Sequence, residues 1–121
     1  MKRILVVDDE PDVVELLEAT LSGGRFIVLK ASTGEEALEA ARTEKPDLVI
    51  LDVLMPGPIN GIEAARRLKI EPRSSGCKVM VLTGSTCDGF HAEAEEAGVD
   101  FFFNKPFSPV ELLRKIDEVL G

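Results

Sequence analysis

At residues 4–12 the chain reads ILVVDDEPD, an apolar run that ends in acidic residues. Its apolar run fits a short strand, and two adjacent carboxylates, Asp8 and Asp9, follow that strand directly. A second apolar run, LVILD at residues 48–52, likewise stops on an acid, Asp52. Because like charges repel, acids that meet at strand ends predict either ordinary solvated ends or a positively charged group between them.

Short apolar runs alternate with helix-like segments along the whole chain. The runs occupy residues 4–7, 26–29, 48–51, 79–82 and 99–103. Several are continuous, which is typical of strands covered on both faces, as in a parallel sheet. Five successive strand–helix units predict a single doubly wound α/β domain with a five-stranded parallel sheet and helices on both faces.

The predicted helices carry recognisable boundary signals. Three N-cap residues are each followed three positions later by a glutamate, a spacing typical of capping boxes, namely Thr33, Asn60 and Ser108. Gly98 is predicted to end the fourth helix, since glycine readily adopts the left-handed conformation found there.

Composition excludes several classes of partner. A chain of 121 residues fits one domain, and its net charge of −8 argues against direct binding to nucleic acid or an anionic membrane. No apolar stretch approaches the roughly 20 residues that span a bilayer. Cys77 and Cys87 lie beyond opposite ends of a predicted strand, too far apart for a disulfide, so we expect free thiols in a cytoplasmic protein.

Polar side chains gather where the predicted strands end. In open α/β sheets, ligand-binding and active sites lie outside the carboxyl ends of the strands. Three acids, a hydroxyl group and a lysine would meet there, namely Asp8, Asp9, Asp52, Thr83 and Lys105. Clustered ionisable groups of this kind indicate a functional site, although any one of them alone could be an ordinary solvated residue.

Four motifs together resemble the receiver domain of response regulators in two-component signalling, the CheY-like family. They are ILVVDDEPD, DLVILDVLMPG, VMVLTG and AGVDFFFNKPF, and the resemblance runs from the first strand to the last helix. It implies a flavodoxin-like strand order, 2-1-3-4-5. It also implies a receiver domain over residues 1–121, with no output domain in this chain.

The resemblance implies a phosphorylation site at Asp52. A phosphohistidine on a sensor histidine kinase or phosphotransfer protein would supply the phosphoryl group, and the reaction would require Mg²⁺. Asp9, Asp52 and the backbone carbonyl of Leu54 would bind the metal directly, while Asp8 would help through water. The metal would be the missing positive charge between the acids.

Other residues match the family's supporting roles. Lys105 would neutralise charge on the phosphoryl group, the Thr83 hydroxyl would contact it, and the Gly84 backbone N–H would do so as well. Phe102 matches the aromatic switch residue that turns inward after Thr83 moves. This change would alter the face formed by the predicted fourth helix, strand 5 and the predicted fifth helix, where an output domain or a second copy would bind.

Two further expectations concern this chain in particular. Phe101 either extends the core or adds an apolar patch to the same face. Leu54 and Ser85 flank the path of a hydrolytic water by resemblance. Because Leu54 cannot hydrogen-bond a water and Ser85 is short, we expect slow self-dephosphorylation of a signalling switch rather than turnover by an enzyme.

The sequence also departs from the family and leaves alternatives open. Four residues, 57–60, separate Pro56 from Gly61, where the family usually has three. A phosphatase with an aspartyl nucleophile would need a second acid at position 54, which is Leu54 here. A flavin site would have its phosphate repelled by the acids at 8–12. The remaining alternative is a degenerate receiver that only mediates interactions, against which the intact set of polar residues argues.

Overall fold

The computed structural model describes residues 2–22, 26–52, 60–71, 76–83, 95–104 and 108–120, with only the backbone given for Thr83 and Asn104. Five parallel strands form one sheet, in the order β2-β1-β3-β4-β5. Their bounds are β1 Lys2–Val7, β2 Phe26–Ala31, β3 Leu48–Asp52, β4 Lys78–Thr83 and β5 Phe101–Asn104. The predicted flavodoxin-like fold and strand order are therefore confirmed.

Four helices connect or follow the described strands. They are α1 Pro11–Ser22, α2 Gly34–Glu44, α3 Gly61–Ile70 and the C-terminal helix α4 Pro109–Leu120. The helix predicted before strand 5 is described only at its end, where residues 95–97 are helical. None of the described helices is long and apolar enough to cross a membrane.

The predicted helix boundaries are formed by the side chains that the sequence indicated. The Thr33 hydroxyl accepts a hydrogen bond from the Glu36 N–H at 3.1 Å, and the Asn60 carboxamide oxygen accepts one from the Glu63 N–H at 2.9 Å. Gly98 follows the helical residues with a φ of 91°. These contacts satisfy backbone groups that helix ends leave without partners.

The sheet is buried on both faces, which explains why its strands are continuously apolar. One layer of core side chains lies between the sheet and the α2–α3 side, and includes Leu5, Val49 and Val79. The other layer includes Ile4, Ile50 and Met80, and it contacts α1 and α4 through Leu17, Leu21, Leu112 and Ile116. Successive side chains of one strand thus alternate between the two layers.

One of the two cysteines predicted to be free thiols, Cys77, lies in the described part of the structure. Cys77 is a buried free thiol next to β4, and burial raises the pKa of this thiol above its ordinary value. Cys87 lies outside the described residues. The free state is therefore confirmed for Cys77.

Candidate functional site

The register of the central strands brings the acids to one edge of the sheet. β1 and β3 pair side by side, with Val7 opposite Leu51. An aspartate follows each of these two residues along the chain. Asp8 comes directly after β1, and Asp52 is the last residue of β3. The two carboxylates therefore meet because adjacent parallel strands end at the same level.

Asp8 is held inside the protein by specific hydrogen bonds. Its side chain and backbone are nearly inaccessible, with 1% of the residue exposed. Its Oδ1 accepts the Glu10 N–H at 3.0 Å, and its own N–H donates to the Ala31 carbonyl at 3.2 Å. Asp8 therefore fixes the turn that leads from β1 into α1, in addition to contributing negative charge.

Glu10 begins the helix that follows. Its carbonyl oxygen accepts the N–H groups of Val13 at 3.1 Å and Val14 at 3.2 Å, so Glu10 occupies the N-cap position of α1. The positive end of this helix consequently faces the acids and offsets part of their mutual repulsion.

Four carboxylates converge at this edge. Oxygen atoms of Asp8, Asp9, Glu10 and Asp52 all lie within 4.8 Å of one another. Asp8 and Asp52 are buried, whereas Asp9 and Glu10 are exposed, so the cluster opens to solvent on one side. An all-oxygen set of acids is the ligand type preferred by hard divalent cations such as Mg²⁺ and Ca²⁺.

Glu10 was not among the acids that the sequence pointed to. The strand pattern identifies residues that end strands, and Glu10 belongs to the turn after the strand. Its position directly after the acid pair was the only available signal. That signal was insufficient without knowing that the Asp8 side chain folds back onto the Glu10 N–H.

The remaining predicted site residues are described only in part. Thr83 ends β4 and pairs in register with Asn104, so the backbone of β4 ends beside that of β5. The side chain of Thr83 lies outside the described part of the structure, as do all atoms of Leu54, Gly84 and Lys105. Their proposed roles stay predictions.

The three phenylalanines of β5 alternate as predicted. Phe102 packs against the core layer on the α2–α3 side, and Phe101 and Phe103 pack against the layer that contacts α4. All three are partly buried. The Lys115 ammonium lies 5.2 Å from the centre of the Phe101 ring, a cation–π contact between α4 and β5. Phe101 therefore belongs to the core margin beneath a charged side chain.

An open groove lies beside the acid cluster. Its volume is about 390 Å³, and it runs between α1, the end of β2 and the start of α2. Asp8 and Asp9 are among its lining residues, together with Glu15, Glu18 and Lys30. Two of the four clustered acids therefore border an open groove.

Comparison with known proteins points to one family. The family model described as "Response regulator receiver domain" matches residues 4–117. Among curated relatives, the alkaline phosphatase synthesis transcriptional regulatory protein PhoP of Bacillus subtilis is 40% identical over 119 residues. That match takes in 98% of this chain and 48% of PhoP, so the chain spans about half the length of the first curated relatives it matches.

Two further matches cover almost the full length of both compared chains. Protein PilH of Pseudomonas aeruginosa is 36% identical, over 100% of this chain and 99% of PilH. Among solved structures, the receiver domain of sensor histidine kinase PA1611 from Pseudomonas aeruginosa PAO1 superposes with a TM-score of 0.90 at 25% identity, covering 99% of this chain and 98% of that one. That structure has a magnesium ion coordinated in its active-site cleft.

Proposed function

This chain belongs to the response regulator receiver domain family of two-component signalling, and from that premise we propose that Asp52 is its phosphoryl acceptor. The observation that carries the proposal is the meeting of Asp52 with three other carboxylates within 4.8 Å at the carboxyl edge of the sheet. Of these four acids, Asp52 lies at the end of β3, between β1 and β4 in the sheet. Asp52 is buried, and it is the last residue of that strand.

The proposed reaction is a transfer between two side chains. A carboxylate oxygen of Asp52 attacks the phosphorus of a phosphohistidine on a sensor histidine kinase or phosphotransfer protein. The new O–P bond forms as the P–N bond breaks, and the departing imidazole nitrogen takes up a proton. The product is an aspartyl phosphate, a covalent intermediate that is retained as a signal.

The acids fit a magnesium site in their chemistry. They offer only oxygen ligands, and their separation is close to that of ligands around one hard cation. Asp9 and Asp52 would bind the ion with the Leu54 carbonyl, and Asp8 would contact it through water. Bound Mg²⁺ supplies positive charge that lets an anionic phosphoryl group approach an anionic carboxylate. Buried Asp8 also positions the turn that carries Asp9.

Three residues at or after the ends of β4 and β5 complete the proposal. The Lys105 ammonium would pair with a phosphoryl oxygen, the Thr83 hydroxyl would donate a hydrogen bond to another, and the Gly84 N–H would contact the group from the backbone. The support for these roles is the resemblance in the motifs VMVLTG and FFFNKPF. Preorganised donors of this kind stabilise charge that develops during transfer.

The proposed readout runs through β5. Movement of Thr83 toward the phosphoryl group would let Phe102 turn inward and change the face formed by the helix ending at residue 97, β5 and α4. An output domain or a second copy of this chain would bind there. The same proposal includes four further points. The receiver domain spans residues 1–121, lies in the cytoplasm and loses its phosphoryl group slowly by self-dephosphorylation. This chain makes no direct contact with nucleic acid.

Intact-mass measurement after incubation with acetyl phosphate tests the proposal. With Mg²⁺ we expect the wild-type chain to gain one phosphoryl group, and we expect no gain when the metal is chelated. Asp52→Asn should stay unmodified, while Asp12→Asn, on the exposed surface of α1, should react like wild type. An unmodified wild-type chain with Mg²⁺ would favour a module that only mediates interactions.

A further inference from the structure

The backbone of Glu10 is fixed on both sides. Its N–H donates to the buried Asp8 carboxylate at 3.0 Å, and its carbonyl accepts from the first turn of α1. Glutamate is not among the residues favoured at an N-cap position, where Ser, Thr, Asp and Asn have side chains short enough to accept backbone N–H groups. Helix capping therefore does not explain the choice of glutamate at this position.

The Glu10 side chain reaches the acid cluster instead. One of its carboxylate oxygens lies within 4.8 Å of an oxygen on each of Asp8, Asp9 and Asp52. Opposite ligands on one Mg²⁺ are about 4.2 Å apart, since each Mg–O bond is about 2.1 Å. An oxygen at the distance of Glu10 is thus close enough to contact the ion or a water bound to it.

We propose that Glu10 is a fourth carboxylate of the cation site, acting on the ion through its bound water and raising the affinity for Mg²⁺. This inference rests on the magnesium site of the proposed function. Glu10 is exposed and keeps its backbone contacts whatever its side chain, so its charge can contribute to binding without being needed for folding. Mg²⁺ retains several waters in its sites, which leaves room for such a contact.

A competing explanation is that Glu10 only stabilises the positive end of α1. Asp12 separates the two possibilities, because it is an exposed acid in the first turn of the same helix. It would interact with the helix dipole in the same way but does not belong to the cluster of four carboxylates. Asp12→Asn is therefore the matched control for Glu10→Gln, since each removes one negative charge from the start of α1.

Magnesium titration of the whole chain, followed by amide chemical shifts at constant ionic strength, tests the inference. NMR suits this chain, which has no Trp or Tyr to report binding by fluorescence. We expect Glu10→Gln to weaken Mg²⁺ binding about three- to tenfold, as for a unit charge close to the ion partly screened by water. Asp12→Asn should stay within about twofold of wild type.

The possible outcomes separate this inference from the proposed function. If wild type binds Mg²⁺ and Glu10→Gln binds it equally well, the role of Glu10 is wrong and the site stands. Equal weakening by Glu10→Gln and Asp12→Asn would also overturn it, because the effect would then be general charge at the helix end. A wild-type chain that does not bind Mg²⁺ would overturn both the site and the role of Glu10.

Discussion

Two adjacent aspartates in this chain have different surroundings. Asp8 is buried, and one of its carboxylate oxygens accepts the Glu10 N–H. Asp9 is exposed at the rim of the same cluster. A carboxylate that is already engaged with the backbone is less available to a cation than one that faces solvent. Asp8 therefore holds the turn, and its engagement with the backbone supports the proposal that Asp9, rather than Asp8, binds the metal directly.

This division predicts unequal effects of substitution on Mg²⁺ binding. We expect wild type to bind in the millimolar range and Asp9→Ala to weaken binding by at least about tenfold, because a direct ligand is lost. Asp8→Asn should weaken it less, since the amide keeps an oxygen to accept the Glu10 N–H. Magnesium titration by NMR measures both affinities. Equal and negligible effects of the two substitutions would contradict the assignment.

At the scale of elements, an ion pair joins α3 to the strands next to it. The Lys69 ammonium lies 2.7 Å from the Asp100 carboxylate and donates to the Cys77 carbonyl at 2.9 Å. The same Asp100 oxygen accepts the Val79 N–H at 2.9 Å. Gly98 lies against this pair, since a Cβ there would be 3.1 Å from the Lys69 side chain. The amino ends of β4 and β5 are thus fixed, at the opposite edge from the acids.

Removing Asp100 should destabilise the fold. Asp100→Ala leaves the Val79 N–H and the Lys69 ammonium without this acceptor, and we expect the free energy of unfolding to fall by about 1–3 kcal/mol. Glu39→Ala is the control, because Glu39 forms an exposed ion pair with Arg42 within α2 and should change stability by under about 1 kcal/mol. Urea unfolding measures both. A loss at Asp100 no larger than at Glu39 would show that the contact contributes little.

The N-cap of α3 allows a second test of how one local contact contributes to stability. Asn60 is the last of the four residues between Pro56 and Gly61, and its side chain accepts the Glu63 N–H. Asn60→Ala should lower the free energy of unfolding by about 1 kcal/mol, and Asn60→Asp should not, because aspartate caps equally well. Thermal or urea unfolding compares the three chains. If Asn60→Ala unfolds like wild type, the cap is unimportant for stability.

Elements were predictable where the signal is local. N-caps such as Thr33 and Asn60 depend on contacts three residues apart, and the strands are visible as apolar runs. The start of the strand predicted at 99–103 was placed two residues too early, because β5 begins at Phe101. Asp100, just before it, accepts the Val79 N–H with its side chain instead. Contacts such as Lys69–Asp100 join distant parts of the chain, and no periodicity indicates them.

At the scale of the whole molecule, the parallel α/β class was predictable because parallel strands buried on both faces are continuously apolar. The strand order came from the resemblance to receiver domains. That topology placed Asp8, Asp9 and Asp52 at one edge before any distance was known. The participation of Glu10 depends on how the turn after β1 folds back onto Asp8, which strand and helix patterns do not specify. Side-chain placement in turns was therefore the part of the site that the sequence left open.

Phosphorylation is expected to change how this chain associates with other molecules. A phosphoryl mimic should promote self-association or output binding through the face that contains β5 and α4. Phe101 is partly buried in the core layer, so replacing it would also disturb packing. Lys115, which covers the Phe101 ring, is the better probe, and we expect Lys115→Glu to weaken mimic-dependent association. Sedimentation velocity measures the mass of each species.

The matched control for association is Arg114→Glu, an equal change of charge at the adjacent and exposed position of α4. It should associate more like wild type than Lys115→Glu does. If the mimic leaves wild type monomeric, the chain does not self-associate through a phosphorylation-dependent face. If Lys115→Glu associates as strongly as wild type, the surface around Phe101 is only a margin of the core.

The central claim is that a phosphoryl group is carried by Asp52, and mapping the modified residue tests it most directly. Borohydride reduces an aspartyl phosphate to homoserine, which peptide mass spectrometry can locate after the chain has reacted with acetyl phosphate and Mg²⁺. We predict homoserine at position 52 alone, at the end of β3. Homoserine at position 8 or 9, or a reacted chain that yields none at 52, would contradict this account of the site.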